Sequence, residues 1–204
     1  MRIKKWLSFS PDSSSLNGET LSVGGFGVEM LHELYRRKVG DYPKFFKMDM
    51  LGKLGFVASE LLLQSEDAPR FVPREDRSVV FCNRSASLVA DRRYQETISD
   101  AENYYPSPAL FVYTLPNIVT GEIAIRNKYY GETSFVVLEK FDPEQIAMHA
   151  AAAFQDPVCQ SQLVGWTECS DESHWQCLML LVEREGELDR HGLAATLERL
   201  FTSL

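Results

Sequence analysis

The side chains best able to carry covalent or metal chemistry in this 204-residue chain are its four cysteines and four histidines. Cys169, His174 and Cys177 lie within nine residues of one another, which raises a soft metal site or a thiol–imidazole pair. A structural zinc needs four converging ligands, and these three match no zinc-knuckle spacing, so no metal is expected. A thiolate activated by a nearby base would suit a small acyltransferase or thioesterase, with Cys159 or Cys169 as nucleophile and His174 as base. The plainer account is that all four cysteines, Cys82 included, are reduced and buried as small apolar groups. His149 stands mid-helix among alanines and reads as half-buried and hydrogen-bonded, while His32 and His191 lie on helix faces. "GGFG", Gly24 to Gly27, lacks the strand–helix context of a phosphate loop, so no cofactor is expected.

Whole-chain properties remove further classes. A net charge of −8 leaves no surplus of Lys and Arg to neutralise phosphates, which argues against nucleic acid. No apolar run approaches the roughly 18 residues of a membrane span. The start, "MRIKKWLSFSPDSSS", is too short in apolar residues for a signal-peptide core and reads as a first strand. The expectation is a cytoplasmic protein with residues 1–204 forming a single domain.

Strand and helix signals alternate along the chain. Residues 10–25 are polar and Gly-rich and read as a mobile loop. A helix from about Phe26 to Lys38 places Met30, Leu31, Leu34 and Tyr35 on one side. Asp49 can cap the next helix, whose apolar positions Leu51, Leu54, Val57, Ala58, Leu61 and Leu62 follow helical spacing. "RSVVFCN" is a continuous apolar run suited to a buried strand. After Pro116-Asn117, a helix from Ile118 carries Gly121, where a close backbone approach would explain the glycine. Asn117 reads as a local cap for that helix. Asp142, Pro143 and Gln145 make an N-cap, first-turn proline and capping-box partner for an Ala-rich helix. "SQLVGWTE" and "WQCLMLLVERE" read as strands, and a C-terminal amphipathic helix closes the chain. The class is α/β, a sheet covered by helices.

"ALFVYTLPNIVTGEIAIRNKYYGETSF" resembles the N-terminal half of the β-ketoacyl synthases of fatty acid and polyketide synthesis. The matching positions are Phe111, Thr114, Asn117, Gly121, Ile123, Ala124, Ile125 and Gly131. "KFFKMDMLGKLGFVASELLL", around Met48 and Asp49, and "LVGWTE", Leu163 to Glu168, resemble two more segments of that family in the same order. The resemblance implies a thiolase-like half-domain with a mixed, mostly parallel sheet of about five strands. Complete members have two such halves, and this chain is long enough for one.

In active members a cysteine at the start of the buried helix takes the acyl group. By family spacing it would fall at Lys140, and no cysteine lies between Cys82 and Cys159. Lys140 itself reads as a surface lysine paired with Glu139 or Glu144. The family's two histidines belong to the absent half, so the resemblance implies no catalytic residue here. It implies instead an accessory protein, dimerising or acting as a chain-length factor beside an active ketosynthase. The family pairs subunits through the strand before the nucleophile, here Ser134, Phe135, Val136, Val137 and Leu138. A homodimer or a heterodimer with a β-ketoacyl-ACP synthase would follow. Contact with an acyl carrier protein would need a basic patch such as Arg92-Arg93.

Overall fold

The computed structural model describes residues 1–64, 66 and 68–204. One seven-stranded sheet organises them, in the order β3-β2-β1-β7-β6-β4-β5. The strands are β1 (Arg2–Ser10), β2 (Ser13–Leu16), β3 (Glu19–Thr20), β4 (Arg77–Asn83), β5 (Thr133–Val137), β6 (Ser161–Cys169) and β7 (Trp175–Glu183). The helices are α1 (Gly27–Leu34), α2 (Met50–Gln64), α3 (Leu88–Glu96), α4 (Pro108–Val112), α5 (Ile118–Asn127), α6 (Pro143–Ala153) and α7 (Arg190–Phe201).

Five strands form the centre. β5, β4 and β6 pair in parallel, and β7 pairs antiparallel with both β6 and β1. Four of the five therefore point one way and β7 alone reverses, a mixed sheet of largely common direction. β2 and β3 extend it beyond the five expected strands, and they correct the reading of residues 10–25 as a loop. Asn17 and Gly18 both take positive φ, 54° and 86°, the backbone of a two-residue hairpin turn. Asn17 Oδ1 also accepts the Trp6 backbone N–H at 2.9 Å. Serine pairs stitch β2 to β1, with Ser8 and Ser15 hydroxyls 2.8 Å apart.

Alternation along the strands feeds two cores. Leu7, Phe9, Phe81, Leu163 and Met179 face α1, α2 and α5, whereas Val80, Cys82, Val164, Trp166 and Leu180 face α6 and α7. The expected helical stripe of α2 is buried, but so is nearly every other position, with only Lys53 and Gln64 reaching water. It packs against β1, β6 and β7 and is covered by α1 and α5. A helix enclosed on all sides should be apolar all round, and Glu60 departs from that. Its carboxylate meets Arg126 Nε at 3.0 Å and Arg70 Nη2 at 2.7 Å, and it accepts from Asn127 Nδ2 at 3.2 Å. Burial of the charge is thus matched by charged and amide partners.

The entrance to β4 is equally enclosed. Arg77 donates to both oxygens of Glu66 at 2.5 and 2.8 Å and to Ser161 Oγ at 2.9 Å. Gly131 lies against this point; a Cβ there would overlap the Arg77 carbonyl oxygen. Only glycine lets the turn before β5 approach so closely.

Candidate functional site

The end of β5 and the start of α6 are where the sequence reading places the degenerate nucleophile position. Lys140 is exposed there. Glu144, expected as one of its partners, instead faces His191 at 3.3 Å and Arg190 at 3.9 Å. The helix N-terminus is occupied by Asp142, whose Oδ1 accepts the Gln145 backbone N–H at 3.0 Å. Gln145 Nε2 returns a bond to Oδ2 at 2.9 Å. These bonds from Gln145 hold the Asp142 carboxyl below its ordinary range. The positive end of the helix is thus answered by a carboxylate acceptor.

The cysteines lie in the two cores rather than at that helix start. All four are free and buried. Burial pushes the thiols of Cys82, Cys169 and Cys177 up to about 12, away from the thiolate that reactivity requires. Cys169 Sγ is turned to the Asp171 carbonyl at 3.4 Å, and His174 Nδ1 sits 2.8 Å from Asp171 Oδ2 on an exposed turn. The His174 ring is therefore engaged by Asp171 rather than by a thiol. Among the described residues no cluster of His, Cys, Asp and Glu could hold a metal ion.

The motif positions fall at element junctions. Met48 is buried, and Asp49 Oδ1 caps α2 by accepting the Gly52 N–H at 2.9 Å. Burial raises the Asp49 carboxyl to about 6. Phe111 lies outward on α4, 5.3 Å from the Tyr94 ring centroid. The Thr114 carbonyl accepts from Ser87 Oγ at 2.6 Å, joining this segment to the loop after β4. Asn117 makes no side-chain cap bond; its carbonyl instead receives the Gly121 N–H and the Thr120 hydroxyl. Gly121 also departs from expectation, since among the described residues, its chain neighbours and own helix backbone apart, no atom lies within 4 Å of where its Cβ would stand. Glu168 carries a role that sequence reasoning missed. Its Oε2 accepts the Arg84 N–H at 2.6 Å, so β6 holds the loop that follows β4. Its place near a strand end, three residues after Gly165, was the available signal.

β5 is an edge strand. Val79 N–H bonds to the Glu132 carbonyl at 2.9 Å and Leu138 N–H to the Asn83 carbonyl at 2.7 Å. In a parallel ladder the bonding residues alternate, so Thr133, Phe135 and Val137 direct their N–H and C=O groups away from β4. Leu138 is buried and Val137 is 52% exposed. The basic pair considered for a carrier protein is partly committed: Arg93 is ion-paired with Glu172, and Arg92 reaches the Ser170 carbonyl.

This sheet order and helix arrangement define the class: the fold is the thiolase-like α/β fold of ketosynthase and chain-length-factor proteins. Several solved structures share it, three of them as follows. One described as "The ishigamide ketosynthase/chain length factor" aligns at 19% identity with a TM-score of 0.64, covering 92% of this chain and 63% of that one. The ketosynthase ApeO in complex with its chain length factor ApeC, from Xenorhabdus doucetiae, gives 13% identity and a TM-score of 0.58 over 92% and 80% of the two chains. A type II PKS acyl-carrier protein in complex with its ketosynthase, AntDE:AntF, gives 12% and 0.56 over 89% and 62%. The chain therefore spans less than two thirds of the ishigamide protein's length. No family model and no curated protein sequence matches it. Among the described residues no helix is long and apolar enough to cross a membrane.

Proposed function

We propose that residues 1–204 act as one non-catalytic, chain-length-factor-like unit beside an active β-ketoacyl-ACP synthase in polyketide or fatty acid synthesis, in the cytoplasm. One observation carries the reading. The unpaired edge of β5 runs directly into a helix start that holds the Asp142 cap in place of a thiol. Such an edge supplies main-chain donors and acceptors to another strand, and the neighbouring site has no acyl chemistry of its own. Two structural neighbours, described as a ketosynthase with its chain length factor, support a ketosynthase as the partner. Pairing of two copies through the same strand is the second form of this reading. An acyl carrier protein would bind through the assembled pair rather than through Arg92-Arg93 alone.

The test is affinity purification of the tagged chain from its native host, with mass spectrometry of stoichiometric partners. A co-purifying ketosynthase, lost in Val137→Pro, supports the proposal. Val137 has its N–H on the outward side, so proline there blocks pairing without removing a bond to β4. A clean homodimer without a ketosynthase would sink the accessory role, leave only the pairing of two copies, and return attention to the cysteines.

A further inference from the structure

We infer that a groove beside β1 binds an amphipathic monocarboxylic acid, its carboxylate on Arg199 and its apolar body on Trp6. This reading does not depend on pairing at β5, because β7, β6 and β4 separate β1 from that strand. The groove has a volume of about 580 Å³ and runs between the start of β1, the turn after β7 and the last turns of α7. Small-molecule sites span about 300–1,000 Å³ and are mostly apolar, with a few placed polar groups. Ile3, Trp6, Leu188 and Leu200 supply the apolar wall here. That wall is held in place. Met1 N donates to the Gly186 and Leu188 carbonyls at 3.1 and 2.6 Å, tying the turn to β1. A Cβ on Gly18 would stand 3.5 Å from Trp6 Cζ2, so the hairpin turn backs the indole. A groove fixed in this way loses little freedom when a ligand enters.

The polar groups select the ligand. Two of them are already committed: the Thr196 hydroxyl donates to the Gly192 carbonyl at 2.9 Å, and Arg2 is ion-paired with Glu183. Trp6 Nε1 and the Arg199 guanidinium line the groove without a partner among the described residues. Both groups can only donate, so the complement is an acceptor joined to an apolar body. A cation in the last turn of α7 is explained in part by the helix dipole. The dipole does not explain why this guanidinium stands beside an apolar wall and meets no carboxylate in a chain of net charge −8. Glu187 is exposed on the same rim. Its charge opposes a dianion more than a monoanion, which favours a single carboxylate over a phosphate.

Titration calorimetry of the purified chain with octanoate, kept below its micellar concentration, should show one site. Arg199→Gln should weaken octanoate at least tenfold and leave the binding of octanol unchanged. Thr196→Phe, or Ile3→Phe from the opposite wall, should fill the groove and remove both ligands. Melting temperatures show which filling variant keeps the fold, and if neither does, the Arg199→Gln comparison decides. Three results overturn the site: no octanoate binding by the wild type, equal octanoate binding by Arg199→Gln, or undiminished binding in a folded filling variant. Octyl phosphate binding more tightly than octanoate overturns the choice of headgroup. None of these outcomes touches the ketosynthase pairing, which affinity purification reads separately.

Discussion

Gln145 donates two hydrogen bonds to the Asp142 carboxylate at the head of α6, backbone N–H to Oδ1 at 3.0 Å and side-chain amide to Oδ2 at 2.9 Å. The pair satisfies the head of the helix with a carboxylate acceptor. Asp142→Ala should cost about 1 kcal/mol in urea unfolding, the usual loss on removing such a cap. The Asp142 carboxyl titrates below its ordinary value in the folded chain. Its contribution is therefore present above the unfolded pKa and fades as pH falls through the folded one. Asp142→Asn should flatten that acid limb.

Asp49 has the opposite sign. Its carboxyl titrates near 3.8 when free and is raised to about 6 by burial. Between those values the folded chain holds a proton that the unfolded chain has released, so stability falls as pH rises through the window. Two pK units correspond to roughly 3 kcal/mol. Asp49→Asn keeps an acceptor for the Gly52 N–H and removes the charge. Thermal melts should find the variant more stable than wild type at pH 7.5, with the difference vanishing near pH 4.

Arg77 and Glu66 form a buried, bidentate pair at the entrance to β4. Arg77→Met strands the Glu66 carboxylate and should destabilise by about 3–5 kcal/mol. Arg77→Met combined with Glu66→Leu should recover a large part of that loss. Denaturant titration of both variants decides it, and equal losses would mean that Arg77 matters through its bonds to Ser161 Oγ and to the Tyr129 hydroxyl, 2.9 and 3.2 Å away, rather than through its charge.

The thiols should be inert. In the native chain Cys82, Cys159, Cys169 and Cys177 should react negligibly with a disulfide reagent at pH 8, and all four should react in urea. Fast labelling of a single native cysteine, with loss of acyl transfer on its replacement by Ser, would favour the enzyme alternative.

Local signals carried much of this structure. The caps at Asp49 and Asp142 were readable because a carboxylate next to a helical pattern satisfies backbone donors within three residues. β6, β7 and the buried run of β4 were readable from apolar content alone. The hairpin of β2 and β3 was missed although Asn17-Gly18 is a strong turn signal, because its strands are serine-rich and gain their order from pairing with β1. The union of β1 with β7 could not be read, since nothing local links Phe9 to Cys177. Gly121 misled for a different reason: helix propensity registers the cost of a glycine, but the close approach that would explain it is not found among the described residues. At the site, the lack of a thiol was plain in the sequence, whereas the work of Glu168 required the fold.

The sheet has two unlike ends. β3 is two residues long, Glu19 and Thr20, both exposed, and offers almost no ladder to extend, whereas β5 presents an open one. On the proposed pairing at β5, a far margin of only two exposed residues gives a further strand almost no ladder, which disfavours growth from a pair into a fibre.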